Sequence, residues 1–237
     1  MDDTIQPIMR AGRRPAGPVC FEGAGQARVC SRVPPLRLAD RSAGALAELL
    51  PLLLCGEESA ALAFGSAATR ISLLPAARAE LDRIGREEAV HGRLLQRLRA
   101  ALPVARPEAR LLARMRRFLV TLADADAGRY FARIAGLDSA VCIVLAALRG
   151  RRSPLAAEAT VAAVFARIHR DEAGHVDAAR RIALAQAPAA LALDAATQTR
   201  RQLVELLRER GAAFEQLGVD ADALFARLAQ VSRGVFG

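Results

Sequence analysis

Apolar residues recur at helical spacing along most of this chain, and the pattern divides into segments. Ser42 can cap a helix over residues 42–70 whose stripe is Leu50, Leu53, Ala60, Phe64 and Ala67, with Pro51 marking a kink or a second start. A second helix follows Pro75 to about Ala101, where Leu102-Pro103 ends it. Its stripe is Leu81, Ile84, Leu95 and Leu98, with Arg86, Arg93 and Arg97 opposite. Pro107 opens a short linking helix to about Leu122. Asp124 or Asp126 then caps a third long helix with the stripe Phe131, Ile134, Val141, Leu145 and Leu148, ending near Gly150. Pro154 stands at the start of a fourth, to about Gln186, where Phe165, Ile168, Ala179 and Ile182 lie opposite Arg170, Asp177 and Arg181. Amphipathic stretches over 194–210 and 220–231 predict two further helices, and no strand of useful length is visible. The expected fold is all-α: an irregular N-terminal arm (1–40), a four-helix bundle with a short linking helix (41–187) and a C-terminal helical appendage (188–237).

Each long stripe is interrupted by acid. The second carries Glu88 and His91, the fourth Glu172 and His175, and the two segments Arg86-Glu87-Glu88-Ala89-Val90-His91 and Arg170-Asp171-Glu172-Ala173-Gly174-His175 are nearly copies. Positions i and i+3 share a helix face, so each copy presents a carboxylate and an imidazole to one point. With thirteen Glu and three His in 237 residues, chance gives far fewer than one such pair. The first and third stripes contribute one acid each, Glu57 and Asp138. Glu58 is the rival to Glu57, which is preferred because it lies opposite the small polar face of Ser59, Ser66 and Arg70. Burying such groups without partners costs several kcal/mol, and a cation between them is the economical answer.

Composition adds limits. The net charge of +9 comes from 34 Arg and no Lys against 25 acids, a bias spread over the chain that does not single out nucleic acid as a partner. Cys20, Cys30, Cys55 and Cys142 have neither CxxC spacing nor the density of a disulfide scaffold, which implies a reducing cytoplasm and excludes a zinc knuckle. No signal-peptide core opens the chain. The longest apolar run, 141–148, is far shorter than the roughly 20 residues that span a bilayer, so no membrane association is expected.

The order acid, Glu-x-x-His, acid, Glu-x-x-His on four successive helices resembles the ferritin-like di-iron carboxylate superfamily, over residues 42–186. The separations of 31 residues from Glu57 to Glu88 and 34 from Asp138 to Glu172 look most like its oxygen-activating branch. The resemblance implies a ferritin-like bundle and a metal site of Glu57, Glu88, His91, Asp138, Glu172 and His175. That site would hold two Fe, with Mn or mixed Fe/Mn as alternatives, and take O2 as co-substrate. Asp138 departs from the family's usual Glu, and its shorter side chain puts the second metal's geometry or occupancy in question. In this superfamily the acid beside the last motif hydrogen-bonds a ligand His of the other pair, which makes Asp171 a candidate for that role. Glu87 is a weaker one, and surface statistics read both as solvated. His169 reads as a structural histidine; its alternative is the extra ligand or proton shuttle of the N-oxygenating members. Cys142 and Tyr130 read as packing residues.

Ribonucleotide reductase small subunits are set aside because Leu95 stands where they carry a Tyr, and rubrerythrins because a four-Cys domain is missing. The expected function is an oxidase or oxygenase acting on a small-molecule or carrier-bound substrate. It would draw electrons from a donor such as a ferredoxin or reductase, and the arm is a candidate for packing across a homodimer. A ferroxidase or metal-buffering protein is the first alternative. An enzyme like the ferritin-like tRNA hydroxylase is the second, and the scarcity of aromatic residues for base stacking speaks against it.

Overall fold

The computed structural model describes residues 20–21, 35–70, 75–103, 109–231 and 233–236, with the side chains of 66–70 and 233 excepted. Eight α-helices account for most of them: α1 (Asp40–Arg70), α2 (Pro75–Ala101), α3 (Ala109–Thr121), α4 (Ala127–Leu148), α5 (Ala159–Gln186), α6 (Ala189–Leu207), α7 (Gly211–Gln216) and α8 (Ala221–Leu228). There is no strand among the described residues, and the all-α bundle expected from the sequence is what forms. Helices α1 and α2 pair along their length, as do α4 and α5. Helix α3 lies against α1, and α6 covers the outer face of α4. The core is continuous from Leu46, Leu50 and Leu54 of α1 through Leu81 and Ile84 of α2 to Phe131 of α4 and Phe165 of α5, all essentially inaccessible to solvent.

Local signals fix several ends. Asp126 caps α4 by accepting from the Arg129 amide at 2.8 Å, and Asp124, bridged to Arg129 and Arg133, stands two residues upstream. Asp220 caps α8 through the Ala223 amide. Helix α1 continues through Pro51 without a second start. At α5 the expectation fails: Pro154 opens only a 3-10 turn capped by Ser153, and α5 begins five residues later behind Glu158. The Glu158 carboxylate accepts from the Thr160 amide and also from the amide of Arg37, 121 residues away, so this cap is fixed by tertiary structure. Helix α6 starts at Ala189, five residues before the expected Asp194, because Pro188 leads directly into it. The short α7 was not anticipated. Helix α8 ends at Leu228 instead of running on to 231.

Cys20 and Cys55 form a disulfide, against the reading of cysteines without one. The pairing joins residues 35 positions apart in the chain, for which local spacing gives no sign. Cys142 is free. The rest of the arm, with Cys30, residues 71–74 between the first two helices and residues 104–108, which include the expected start of the linking helix at Pro107, lie outside the described residues. By length and composition α4 could cross a membrane, yet its faces are packed on α5 and α6 as those of a bundle's core helix.

Docking of α6 on α4 is close enough to be tested. A Cβ on Gly136 would stand 2.9 Å from the Cα and carbonyl oxygen of Ala196, which are backbone atoms that cannot step aside. Gly136→Ala is therefore expected to lower stability by about 1–3 kcal/mol, read as a drop in the urea midpoint, whereas Gly174→Ala, which meets nothing within 4 Å, is expected to be neutral or stabilising.

Candidate metal centre

Four helices deliver the site. Helix α2 places Glu88 and His91, three residues apart, on its buried face, and α5 places Glu172 and His175 likewise. Helices α1 and α4 contribute Glu57 and Asp138. All six side chains are at most 5 % exposed. Donor atoms of Glu57, Glu88, His91 and Glu172 lie within 4.8 Å of one another, a set able to hold a metal ion. His91 Nδ1 is 3.2 Å from Glu57, 3.4 Å from Glu88 and 3.5 Å from Glu172. His175 Nδ1 is 2.9 Å from Glu88 and 3.8 Å from Glu172. Glu88 and Glu172 thus each face both imidazoles.

The directions of these atoms are as telling as the distances. Glu57 Oε2, Glu88 Oε1, His91 Nδ1, Asp138 Oδ2 and His175 Nδ1 are all buried, and none makes a hydrogen bond of good geometry, even where two of them approach to 2.9 Å. Buried polar atoms are nearly always satisfied, so five in one place are an exception with a cause. Donors that crowd together without bonding one another are aimed at a common centre. The mixture of carboxylate oxygens and imidazole nitrogens suits Fe, Mn or Zn.

The outer edges of the imidazoles are held symmetrically. His91 Nε2–H donates to Asp171 at 3.0 Å, and His175 Nε2–H donates to Glu87 at 3.0 Å. Each acid immediately precedes the Glu of one pair and grips the His of the other. That leaves Nδ1 of both rings turned to the common centre. Arg83 donates to Glu87 and Arg167 stands 3.7 Å from Asp171, so both acids are themselves tethered. The Glu87–His175 contact was barely legible, because Glu87 also pairs with Arg83 one turn away and reads locally as a solvated acid. The only available signal was the near duplication, which puts an acid before Glu88 as before Glu172. Asp171→Asn and Glu87→Gln are each expected to weaken metal binding 10- to 100-fold without unfolding the chain, measured by competition with a chelator.

Electrostatics follow from the crowding. Burial and then the charge of Glu88 raise the Glu57 carboxyl well above the usual range, and burial with the charges of Glu172 and Glu88 does the same to Asp138. For Glu88 burial acts upward, but the His175 and His91 imidazoles beside it bring it down to about 2. Burial acts downward on His175, and Glu172 and Glu88 override it and lift the ring to about 11. His91 is raised too, by Glu172, Glu57 and Glu88 against burial. In the metal-free protein, protons do the work of cations.

The remaining candidates fall elsewhere. Glu58 is buried but turned away from the centre, accepting the amides of Cys20 and Phe21 at 2.7 and 3.0 Å, so Glu57 faces the other ligands and Glu58 anchors the arm. Asp138 lines a cavity with Glu57, Glu88 and Glu172, and neither it nor His175 belongs to the group of four whose donor atoms lie closest together. His169 is half-buried and outside the group, its ring shifted downward by burial and by Arg149. No family model matches the chain, and neither does any curated protein or solved structure.

Proposed function

We propose that the chain is a ferritin-like di-iron oxidoreductase that uses O2 to oxidise a small or carrier-bound organic substrate. Manganese or a mixed Fe/Mn pair is the alternative filling, and electrons come from a ferredoxin or reductase. The observation that carries this reading is the set of five orphaned donor atoms converging beside an apolar cavity. Two ferrous ions held there would supply paired electrons to dioxygen. The chain's own residues do the rest. Glu57, Glu88, His91, Glu172 and His175 would hold the metal, Asp171 and Glu87 fix the two imidazole rings with Nδ1 turned inward, and the aliphatic walls keep water from the reacting atoms.

A ferroxidase needs a polar path by which ions reach the centre. The two larger cavities meeting the site are lined mainly by aliphatic groups, which supports an organic substrate, while a smaller one between α1 and α2 lined by Glu57, Glu58, Glu88, Arg93 and Gln96 is the path an ion would take. The deciding experiment is to load the purified protein with iron under anaerobic conditions and count metal per chain. Oxygen uptake is then followed with a reductant, with and without candidate substrates. Two irons per chain and reductant-dependent uptake that His175→Ala abolishes are expected. Absence of bound metal sinks the proposal, and iron oxidised far beyond two per chain with no organic product replaces it with the ferroxidase reading.

A further inference from the structure

Cys55 and Glu57 stand two residues apart on α1, and Glu58 follows at once. The disulfide from Cys55 to Cys20 therefore fastens the N-terminal arm beside the first acid of the metal centre. Two further contacts are made at the same place. Glu58 Oε2 accepts the amides of Cys20 at 2.7 Å and Phe21 at 3.0 Å, and the Arg116 guanidinium of α3 lies over the Phe21 ring, 5.5 Å from its centre. Together with Glu57, Glu88, Arg93 and Gln96, Glu58 also lines the cavity of about 30 Å³ between α1 and α2, which has room for one ion or water. The buried side-chain oxygen of Gln96 has no hydrogen-bond partner there. One carboxylate thus both holds the arm and walls the polar way to the metal ligands.

We propose that the Cys20–Cys55 disulfide is a redox latch on that way. Closed, it keeps the Glu58 carboxylate engaged with the arm; opened by a dithiol, it frees that carboxylate to receive a divalent cation and pass it to Glu57 and Glu88. The exchange starts at Cys20, which is half-buried, because Cys55 is wholly buried. A thiolate of the dithiol attacks Cys20 Sγ, the S–S bond breaks, and Cys55 leaves and takes up a proton. The second thiol then attacks the mixed disulfide, closing the reductant's own disulfide and releasing Cys20 as a thiol. Two electrons and two protons pass from the dithiol to the cystine, and the oxidised form of the same carrier closes the latch again. Without the covalent link, Cys20 and Phe21 are held by two hydrogen bonds, the Arg116 contact and partial burial against the core. What these return is comparable with the conformational entropy that fixing a free segment costs. The link joins positions 35 apart, so breaking it restores much of that freedom. The inference adds regulation to the proposed metal centre and rests on that reading.

The full chain is tested in two states, with the disulfide intact and after reduction by dithiothreitol and desalting, each verified by counting free thiols. Both are loaded anaerobically with ferrous ion, and the rate at which a ferrous chelator withdraws the iron is followed. Reduction is expected to raise that rate about tenfold or more, and to raise deuterium exchange at the Cys20 and Phe21 amides by a similar factor. Cys20→Ser, which cannot close the latch, is expected to show the fast rate with or without dithiol. Glu58→Ala keeps the disulfide and is expected to release iron at one rate in both states, because the relaying carboxylate is gone. Should a variant fail to fold, the two states of the unaltered chain still decide. Equal rates in those two states, or an acceleration that survives in folded Glu58→Ala, overturn the latch and leave the metal centre standing. If neither state binds iron, latch and centre fall together, so the iron count tells the two failures apart.

Discussion

For the proposed two-ion centre, Glu88→Ala is expected to reduce bound metal from two ions to fewer than about 0.2 per chain after desalting. The size of the effect follows from position: Glu88 sends one oxygen to within 2.9 Å of His175 Nδ1 and the other to within 3.4 Å of His91 Nδ1, so its loss leaves both half-sites short of a ligand at once. Removing one ligand from a set with so few donors takes away a large part of the binding free energy, and losing a shared one does so twice. His175→Ala is expected to empty its own half-site first. Glu58→Ala is the control that gives the result meaning, being an adjacent buried acid whose hydrogen bonds go to the Cys20 and Phe21 amides. That substitution is expected to cost about 1–3 kcal/mol of stability and leave metal content at two per chain. Elemental analysis of the three variants, with urea unfolding of each metal-free chain, checks this. Retention of metal by Glu88→Ala, or its loss from Glu58→Ala, would remove the centre from where the donor atoms place it.

The four interrupted stripes were legible because helical period and burial are local consequences of sequence. Leu81, Ile84, Glu88, His91, Leu95 and Leu98 all face inward together, and a helix that buries its leucines at that spacing has no choice but to bury the Glu and His among them. What escaped is what depends on partners distant in the chain. Glu158 caps α5 while also accepting from Arg37, and Pro154 alone could not reveal that the helix would wait for it. Cys55 finds its partner in Cys20, 35 positions away, which no local pattern announces. Glu57 and Glu58 are separated by one helical step of about 100°, and which of them faces the other acids was settled by what the arm offers Glu58. Asp138 was read as a ligand whose shorter side chain puts the second metal's geometry in question, and it, like His175, falls outside the group of four whose donor atoms lie closest together.

Metal binding at this centre is expected to release between about two and four protons per chain near neutral pH, with affinity rising about a hundredfold or more per pH unit. In the metal-free protein four groups retain protons that the ions must displace. The His91 and His175 rings are held charged by the surrounding carboxylates, and the Glu57 and Asp138 carboxyls are raised first by burial and then by the charges of their neighbours. Glu88, brought down to about 2, has none to give. The signs fix the stability profile as well. A folded-state value above the unfolded one means that the folded chain binds more protons, so stability falls as pH rises. The His175 contribution is whole below its unfolded value of 6.5 and is lost as pH climbs through about 11. Glu57 and Asp138 act in the same direction, beginning at their unfolded values of 4.5 and 3.8. Glu88 acts oppositely, its contribution present above 4.5 and lost as pH falls toward 2. Between pH 6.5 and 9 the metal-free chain therefore loses stability while the loaded chain, whose ligands are already deprotonated, keeps it. The gap between their unfolding temperatures should widen steadily with pH. Calorimetric titration with ferrous ion or zinc in buffers of different ionisation enthalpy counts the protons directly. A count near zero would mean that the imidazoles and acids are not the groups receiving the metal, whatever their proximity.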